Sequence, residues 1–238
     1  YFVNVRDGLS STRQLTFTRD KNENNPRWAP DGSFFVFSSN RDAAPNGATQ
    51  QLYVMRPDGG EAQKITDAKD GVGNYAFSKD GRWLAFSAGK SDEQQVWVLP
   101  VAGIDTAKAR PLTKHATPIG WWRFSESGKQ LFFVSPDSVD KANKERMEKK
   151  FDVRIRNEDI PLNHLWMVDL GTGAAKRLTQ SAEFSVEGLS LSDDGRWAGV
   201  RALPNDRYAR TITEAGNTGD LYLLNVETGN LERLTNNT

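Results

Sequence analysis

One short signature recurs five times along the chain of 238 residues. In each copy a Leu or Ile precedes a Thr, and the apolar residue stands at positions 15, 65, 112, 178 and 234. The successive spacings are 50, 47, 66 and 56 residues. Recurrence at intervals of this size is typical of repeat architectures whose loops vary in length. The repeat therefore constrains the fold more strongly than any single local motif does.

Each full repeat has the same internal order of four predicted strands. The first strand leads into a turn with Asp-Gly, or Ser-Gly in the third copy, within residues 27–32, 75–81, 122–128 and 189–195. Glycine supplies the positive φ that a tight hairpin turn requires. A second strand rich in aromatic and branched residues follows directly. A third strand is predicted at 51–56, 95–100, 164–170 and 220–226, and the fourth ends in the Leu/Ile-Thr signature.

Four short antiparallel strands in every repeat predict an all-β fold, a β-propeller of four-stranded antiparallel blades. Residues 1–16 match the third and fourth strands of a blade whose first two strands would lie upstream. We expect four full blades and half of another, which is a partial ring cut from a larger propeller. The predicted full blades are 17–66, 67–113, 114–179 and 180–235, with an insertion at 136–163 in the third.

The chain contains seven Trp and 12 Phe residues although its mean hydropathy is negative. Large apolar residues recur at two positions of the repeat. These residues are Trp28, Phe77, Phe124 and Leu191 before the turn, and Tyr53, Trp97, Trp166 and Tyr222 in the third strand. Equivalent positions of neighbouring blades meet where the blades pack. We therefore expect these side chains to form blade-to-blade core rather than a ligand cage.

Two stretches carry a family resemblance. Residues 25–42, NPRWAPDGSFFVFSSNRD, followed by QLYVMRPDGGEAQKIT, resemble the WD-type repeats of TolB and of the propellers in prolyl oligopeptidase-family serine peptidases. Residues 140–179 resemble the insertion in propellers of bacterial acylaminoacyl-peptidase-like and dipeptidyl-peptidase-like members, and TolB-type repeats are expected to lack it. The resemblance implies a parent protein with an α/β-hydrolase catalytic domain, a Ser-Asp-His triad and a peptide substrate.

The sequence itself offers no catalytic, cofactor-binding or metal-binding residue that we would assign. It contains no Gly-x-Ser-x-Gly nucleophile elbow, and its two histidines, His115 and His164, have no nearby serine in such a context. With no cysteine, disulfides and thiolate chemistry are excluded. Asp20, Asn22 and Asn24 have the spacing of a calcium loop, but position six is not Gly, so a polar loop is the favoured interpretation.

Charge and hydropathy limit the partners. Lys and Arg number 31, as do Asp and Glu, so there is no surplus of positive charge for nucleic acid. No window approaches the roughly 20 apolar residues of a membrane-spanning helix. A homo-oligomer stays open as an option, and the sequence leaves the compartment undetermined. Asn236-Asn237-Thr238 matches the N-glycosylation sequon, but a triplet of this kind at a chain end does not indicate the compartment.

The charged segment 140–150 predicts a short solvated helix, followed by a strand at 151–156. One interpretation is that this insertion is a surface loop exposed to water. The functional hypothesis is that this insertion, with the loop at 201–219, projects toward a partner domain or a substrate entrance. Two functions remain open: a peptidase propeller that gates and positions short peptides, or a TolB-like scaffold for protein–protein interaction. A lactonase-type metal propeller is disfavoured, since the two histidines occupy unlike repeat positions.

Overall fold

The computed structural model describes residues 1–44, 47–139, 141–149, 161–204 and 219–237. These residues form 16 β-strands, one α-helix and one short 3-10 helix. The chain divides into two compact units, and each unit contains two antiparallel sheets of four strands. The first unit is Tyr1–Ser91 with Gln95–Leu112, and the second is Asp92–Gln94 with Thr113–Thr238.

In the first unit, each sheet is an up-and-down meander in which consecutive strands are neighbours. The strands of the first sheet are β1 (Glu23–Trp28), β2 (Phe35–Ser39), β3 (Gln51–Arg56) and β4 (Gly59–Lys64). The strands of the second sheet are β5 (Val72–Phe77), β6 (Trp83–Ala88), β7 (Gln95–Pro100) and β8 (Arg110–Pro111).

The second unit repeats this plan. Its third sheet contains β9 (Trp121–Phe124), β10 (Gln130–Pro136), β11 (Asn163–Asp169) and β12 (Ala175–Arg177). Its fourth sheet contains β13 (Phe184–Leu191), β14 (Trp197–Pro204), β15 (Asp220–Asn225) and β16 (Leu231–Arg233). Helix α1 (Lys141–Glu148) lies between β10 and β11, which confirms the helix predicted there. Four such sheets confirm the predicted class, an all-β partial propeller of four-stranded antiparallel blades.

The N-terminal segment is less regular than the repeat pattern suggested. Phe2 and Arg13 form a single antiparallel bridge, and a 3-10 helix (Gly8–Ser11) lies between them, in place of two full strands. Leu15 packs against the first sheet. The strand predicted at 151–156 falls outside the described residues.

The turn between the first and second strand has one geometry in all four sheets. Its glycine has a φ of 68 to 71°, and the residues concerned are Gly32, Gly81, Gly128 and Gly195. In each turn the glycine N–H donates to the carbonyl three residues earlier, at 2.8 to 3.0 Å. Any other residue would be strained at this φ, so the Asp-Gly and Ser-Gly pairs identify these turns correctly.

The threonine of the recurring signature forms a hydrogen bond that the sequence pattern did not predict. Its Oγ1 accepts the backbone N–H of a leucine near the start of the third strand. The distance is 2.8 Å from Leu52 to Thr66, 2.9 Å from Leu165 to Thr179 and 2.9 Å from Leu221 to Thr235. We call this contact the threonine clasp. It ties the end of the fourth strand to the third strand.

The core lies between consecutive sheets within each unit. We call the side of a sheet that carries Leu52, or its equivalent in the repeat, the forward face, and the opposite side the rear face. The forward face of the first sheet shares a buried cluster with the second sheet, and that of the third shares one with the fourth. The rear face of the first sheet is also buried, at Phe35, Phe37, Tyr53 and Met55, where Leu15 contacts it.

The recurrent aromatic residues are buried to different degrees. Tyr53 and Phe124 are buried, and Phe77, Trp97, Trp166 and Tyr222 are half-buried. Trp28 is the exception among them, because 47% of its surface is exposed. Its ring contacts Phe35 at 5.4 Å and Phe2 at 6.2 Å between ring centroids. The irregular N-terminal segment covers Trp28 less completely than a four-stranded sheet would.

Candidate functional site at the base of the third-sheet insertion

Polar side chains are concentrated where the insertion leaves and rejoins the third sheet. Strand β10 ends at Pro136 and β11 begins at Asn163. The backbone N–H of Asp137 donates to the carbonyl of Leu162 at 2.9 Å, so the two ends of the insertion are joined. Ser135 and His164 are direct partners in the antiparallel register. This geometry places both histidines of the chain close to the base of the insertion.

His164 is buried, with 1% of its surface exposed. Its Nδ1 lies 3.2 Å from Thr179 Oγ1, and its Nε2 lies 3.2 Å from the Asp137 carboxylate. The Asp137 carboxylate only accepts hydrogen bonds, so it requires a proton on Nε2, and the Thr179 hydroxyl then donates to Nδ1. The hydrogen-bond network therefore assigns the proton of neutral His164 to Nε2, where it is donated to Asp137.

Asp137 also binds Arg177. The Arg177 Nη1 lies 2.9 Å from Asp137 Oδ1, and the Arg177 Nε donates to the carbonyl of Thr179 at 2.8 Å. Burial, and then the positive charge of Arg177, hold the pKa of His164 below its usual value, although Asp137 acts in the opposite direction. His164 is therefore neutral at pH 7. We call His164, Asp137, Arg177 and Thr179 the insertion clamp.

His115 occupies the adjoining part of the site. Its Nδ1 lies 3.0 Å from Ser135 Oγ and 3.0 Å from Thr117 Oγ1. Its ring packs edge-on against Trp166, with 4.6 Å between ring centroids. Ser135 is fully buried, and its Oγ lies 2.8 Å from the carbonyl of Pro118. The hydroxyl of Ser135 is thus surrounded by protein acceptors.

The contacts of a catalytic triad are divided between two histidines. The serine–histidine contact belongs to His115, whereas the histidine–carboxylate contact belongs to His164. A triad needs a serine that a substrate can reach. Ser135 is fully buried and does not meet this condition. The arrangement is therefore that of a structural clamp, and the absence of a catalytic residue in this chain stays a prediction.

The clamp is a variation on a position that recurs in the repeat. Gln51 and Asp220 stand where His164 stands, at the residue before the clasped N–H. The hydroxyl of Thr66 donates to Gln51 Oε1 at 2.8 Å, and that of Thr235 donates to Asp220 Oδ1 at 3.2 Å. In the sequence, this position can be recognised only as a polar residue that precedes the apolar residues of the third strand. Its function depends on the threonine, which lies 15 residues further along the chain.

Asp31, the twelfth residue of the calcium-loop spacing that begins at Asp20, is engaged by its own turn. Asp31 Oδ1 accepts the Ser33 N–H at 3.0 Å and the Ser33 hydroxyl at 2.7 Å within its own turn. The hydrogen bonds from Ser33 hold the pKa of Asp31 below its usual value. The backbone N–H of Asn22 donates to Asn40. Across the described residues, no group of three or more His, Cys, Asp or Glu side chains could hold a metal ion.

The helices seen in the described parts of the chain are too short or too polar to cross a membrane.

Two curated proteins share parts of this sequence, and no protein-family model matches it. The peptidase YuxL of Bacillus subtilis, named as uncharacterized, is 35% identical over 77 residues, which are 32% of this chain and 11% of YuxL. The uncharacterized protein Atu1656 of Agrobacterium fabrum is 27% identical over 133 residues, which are 56% of this chain and 41% of Atu1656. The chain thus spans less than half the length of either relative.

Solved structures of two groups have a similar fold. The acylaminoacyl peptidase of Pyrococcus horikoshii has a TM-score of 0.59 at 16% identity, over 94% of this chain and 34% of that protein. The β-propeller domain of the trilobed protease of Pyrococcus furiosus has a TM-score of 0.54 at 14% identity, over 90% and 58%. TolB of Acinetobacter baumannii has a TM-score of 0.51 at 19% identity, over 91% and 44%.

At these identities the similarity establishes the fold and leaves the activity open. The chain is a β-propeller of the kind found both in TolB and in peptidases such as acylaminoacyl peptidase. The resemblance inferred from the repeats is therefore confirmed at the level of the fold.

Proposed function

We propose that this chain is the propeller of a prolyl oligopeptidase-family serine peptidase that hydrolyses short peptides. In this proposal the propeller restricts access to an α/β-hydrolase domain of the same parent and helps to position the substrate. The chemistry is acyl transfer from the peptide to a serine and then to water, by residues that this chain does not supply. The observation that carries the proposal is the clamped insertion of the third sheet.

The clamp costs free energy that a solvated loop would not require. Burying the imidazole of His164 removes water from its two ring nitrogens, and this loss is offset only by good hydrogen-bond geometry. The side chains of Arg177 and Asp137 stay 29% and 43% exposed. The geometry here is good, with Asp137 binding both Arg177 and His164 at 2.9 and 3.2 Å. An anchor of this kind holds both ends of the insertion in one position. That property suits a segment that meets a partner domain or lines a substrate entrance.

The local match to YuxL supports the same proposal. YuxL is named as a peptidase, and its 35% identity over 77 residues exceeds that of the structural neighbours. The match covers only 11% of YuxL, so the peptidase activity of the parent remains a proposal.

The proposal is tested on the full-length gene product. Residues 141–156 are deleted, or replaced by a Gly-Ser linker of equal length, so that Asp137 and His164 are retained. We expect the deletion to admit longer peptides, measured as a changed ratio of kcat/KM for short and long chromogenic peptides. The linker variant controls for chain length, and a fluorophosphonate probe shows whether the catalytic serine is intact. A full-length product that neither hydrolyses peptides nor reacts with the probe would contradict the proposal.

A second function is supported by the similarity to TolB, which extends over 91% of this chain. In that case the propeller would be a protein-binding scaffold with no catalytic domain. A scaffold parent would lack a fluorophosphonate-reactive serine, and deletion of residues 141–156 would weaken partner binding rather than alter peptide length preference.

A further inference from the structure

The first strand of the first sheet contains a β-bulge with an unusual backbone. The register of β1 with β2 shifts between Asn24 and Arg27, and similar shifts occur in β5 and β13. Within the bulge of β1, Asn25 has a φ of 53°, in the left-handed region, and Pro26 follows it. Asparagine tolerates this conformation better than most residues, but only glycine adopts it freely. Bulges and strained residues are typical of positions where a strand presents a side chain to a ligand.

The bulge brings two polar residues to one face of the first sheet. Asn24 pairs with Ser38 and Arg27 pairs with Val36, so three steps along β1 match two steps along β2. In a regular strand, residues three apart point to opposite faces. Here the extra residue places both Asn24 and Arg27 on the forward face, since Ser38 and Val36 lie there.

Tyr75 of the second sheet holds this bulge in place. Its hydroxyl donates to the carbonyl of Asn25 and lies 3.4 Å from the carbonyl of Asn24, and Tyr75 is only 4% exposed. Burial raises the pKa of Tyr75, whereas the hydrogen bond with Ser38 and then the positive charge of Arg27 act in the opposite direction. The guanidinium of Arg27 therefore lies near a phenol whose proton is already donated to the backbone.

Arg27 differs from the arginine at the same position of the third sheet, Arg123. Each stands five residues before its turn glycine. The Nη1 of Arg123 donates to the carbonyl of Leu189 in the fourth sheet at 3.2 Å, so this arginine links two sheets. Tyr75 is the equivalent of Leu189, yet Arg27 forms no hydrogen bond, ion pair or ring contact with any residue that the structure describes. The exposed guanidinium of Arg27 is therefore available to a ligand.

Amide side chains flank this guanidinium. Those of Asn24 and Asn25 are exposed and form no hydrogen bond within the described ranges, and the same holds for Asn74, which precedes Tyr75 in the bulge of β5. Pro26 has no N–H, so the edge of β1 is poorly suited to adding another strand through its backbone. A ligand at this bulge would be recognised by side chains.

A guanidinium beside amide donors is suited to a carboxylate. The planar fork of arginine donates two parallel hydrogen bonds to the two oxygens of one carboxylate. The positive charge of Arg27 balances its single negative charge. A phosphate group carries about 1.5 to 2 negative charges at pH 7, and β1 contains no second basic residue to balance them. The charge of the site therefore favours a carboxylate over a phosphate.

We infer that Arg27, with the amides of Asn24 and Asn25, binds the free C-terminal carboxylate of a short peptide. This inference rests on the proposed function, because a peptide substrate is what brings the carboxylate to the propeller. A short peptide has one such group at its end, and the amidated form of the same peptide has none. The parent peptidase is then expected to prefer free-acid peptides over their amides.

Binding is measured on the 238-residue chain with trialanine that carries an N-terminal dansyl group, which has no carboxylate of its own. The probe is used as the free acid and as the C-terminal amide, and fluorescence anisotropy gives the Kd of each. Arg27→Gln removes the guanidinium, and Arg27→Lys retains the charge without the planar fork. Arg123→Gln is the matched control, since this arginine already binds a carbonyl. Circular dichroism confirms that each variant is folded.

We expect the free acid to bind at least about tenfold more tightly than the amide, as for other hydrogen bonds to charged groups. Arg27→Gln should abolish this preference, Arg27→Lys should retain part of it, and Arg123→Gln should leave it unchanged. Equal Kd values for the two forms, or a preference that survives in Arg27→Gln, would overturn the inference. Acetate or inorganic phosphate that competes as well as unlabelled trialanine would also overturn it, because the site would then select the anion and not the peptide.

The full-length parent provides a second measurement, the ratio of kcat/KM for the free acid and the amide of one peptide. A parent that hydrolyses both forms equally well would overturn this inference and leave the peptidase proposal standing. A parent that hydrolyses neither form and does not react with a fluorophosphonate probe would contradict the peptidase proposal. Binding of dansyl-trialanine to the 238-residue chain would then still decide the inference about Arg27.

Discussion

The first and fourth sheets share one strand plan but are covered differently. Each is an antiparallel meander with the same glycine turn and the same threonine clasp. The first sheet is buried on both faces, with Leu52 on one and Tyr53 on the other at 0% and 1% exposure. The fourth is buried on its rear face, as at Leu224, but exposes Leu221. Local hydrogen bonds therefore form a blade, whereas a neighbouring sheet decides how much burial stabilises it.

The largest expected difference between the two sheets is in the stability that is lost when a leucine is shortened to alanine. Leu52→Ala should lower the free energy of unfolding by about 2 to 5 kcal/mol, because it empties space that surrounding residues fill only in part. Leu221→Ala should cost less than about 1 kcal/mol, since the side chain is already half in water. Urea unfolding of the two variants measures the difference. Equal losses would show that the fourth sheet has a cover in solution.

The threonine clasp should show the same contrast at a smaller scale. Thr66→Val leaves the Leu52 N–H without its acceptor in a buried place, at a cost of about 1 to 3 kcal/mol. Gln51 Oε1 loses the hydroxyl of Thr66 but keeps the N–H of Ala68. Thr235→Val should cost less, because the end of the fourth sheet is accessible to water. Thermal and urea unfolding test the order. A larger loss for Thr235→Val would contradict it.

The stability of the third sheet should depend on pH near neutrality, because this sheet contains His164. The first and fourth sheets contain no histidine. Burial lowers the pKa of His164 in the folded chain, so between that pKa and about 6.5 the unfolded chain binds a proton that the folded chain does not. Stability should therefore be lost as pH falls below about 6.5, by at most about 1.4 kcal/mol per pH unit. His164→Gln, which copies Gln51, should remove this slope. An unchanged slope in the variant would assign it to other groups.

The smallest expected effect concerns the turns of the two sheets. Asp31 accepts hydrogen bonds from Ser33, whereas Asp194 accepts them from Ser192 and Arg196 and pairs with the Arg196 side chain at 2.7 Å. These contacts hold the pKa of each carboxyl below its usual value. Asp31→Asn and Asp194→Asn should each lower Tm slightly at pH 7, and Asp194→Asn by more. Because each pKa is depressed, this contribution is lost as pH falls below about 4. A larger Tm loss for Asp31→Asn would contradict this order.

Much of the fold could be predicted because its determinants are local. The third strands predicted at 51–56 and 95–100 have the bounds of β3 and β7, and the turn glycines are where Asp-Gly or Ser-Gly placed them. The site was less predictable. His164 was assigned no role, since its partners Asp137 and Arg177 lie 27 residues before it and 13 after it in the sequence. The pairing of β11 with both β10 and β12 brings them together.

The sequence by itself determined the repeat, the order of strands within it and the turns that separate them. These features follow from residue periodicity and from the positive φ that glycine tolerates, which act over a few residues. The tertiary structure alone decided which equivalent positions are core. Leu52 and Leu221 occupy the same repeat position and have the same backbone bonds, yet only Leu52 lies against a following sheet. Burial is a property of the neighbour, and a repeat pattern does not record whether that neighbour is present.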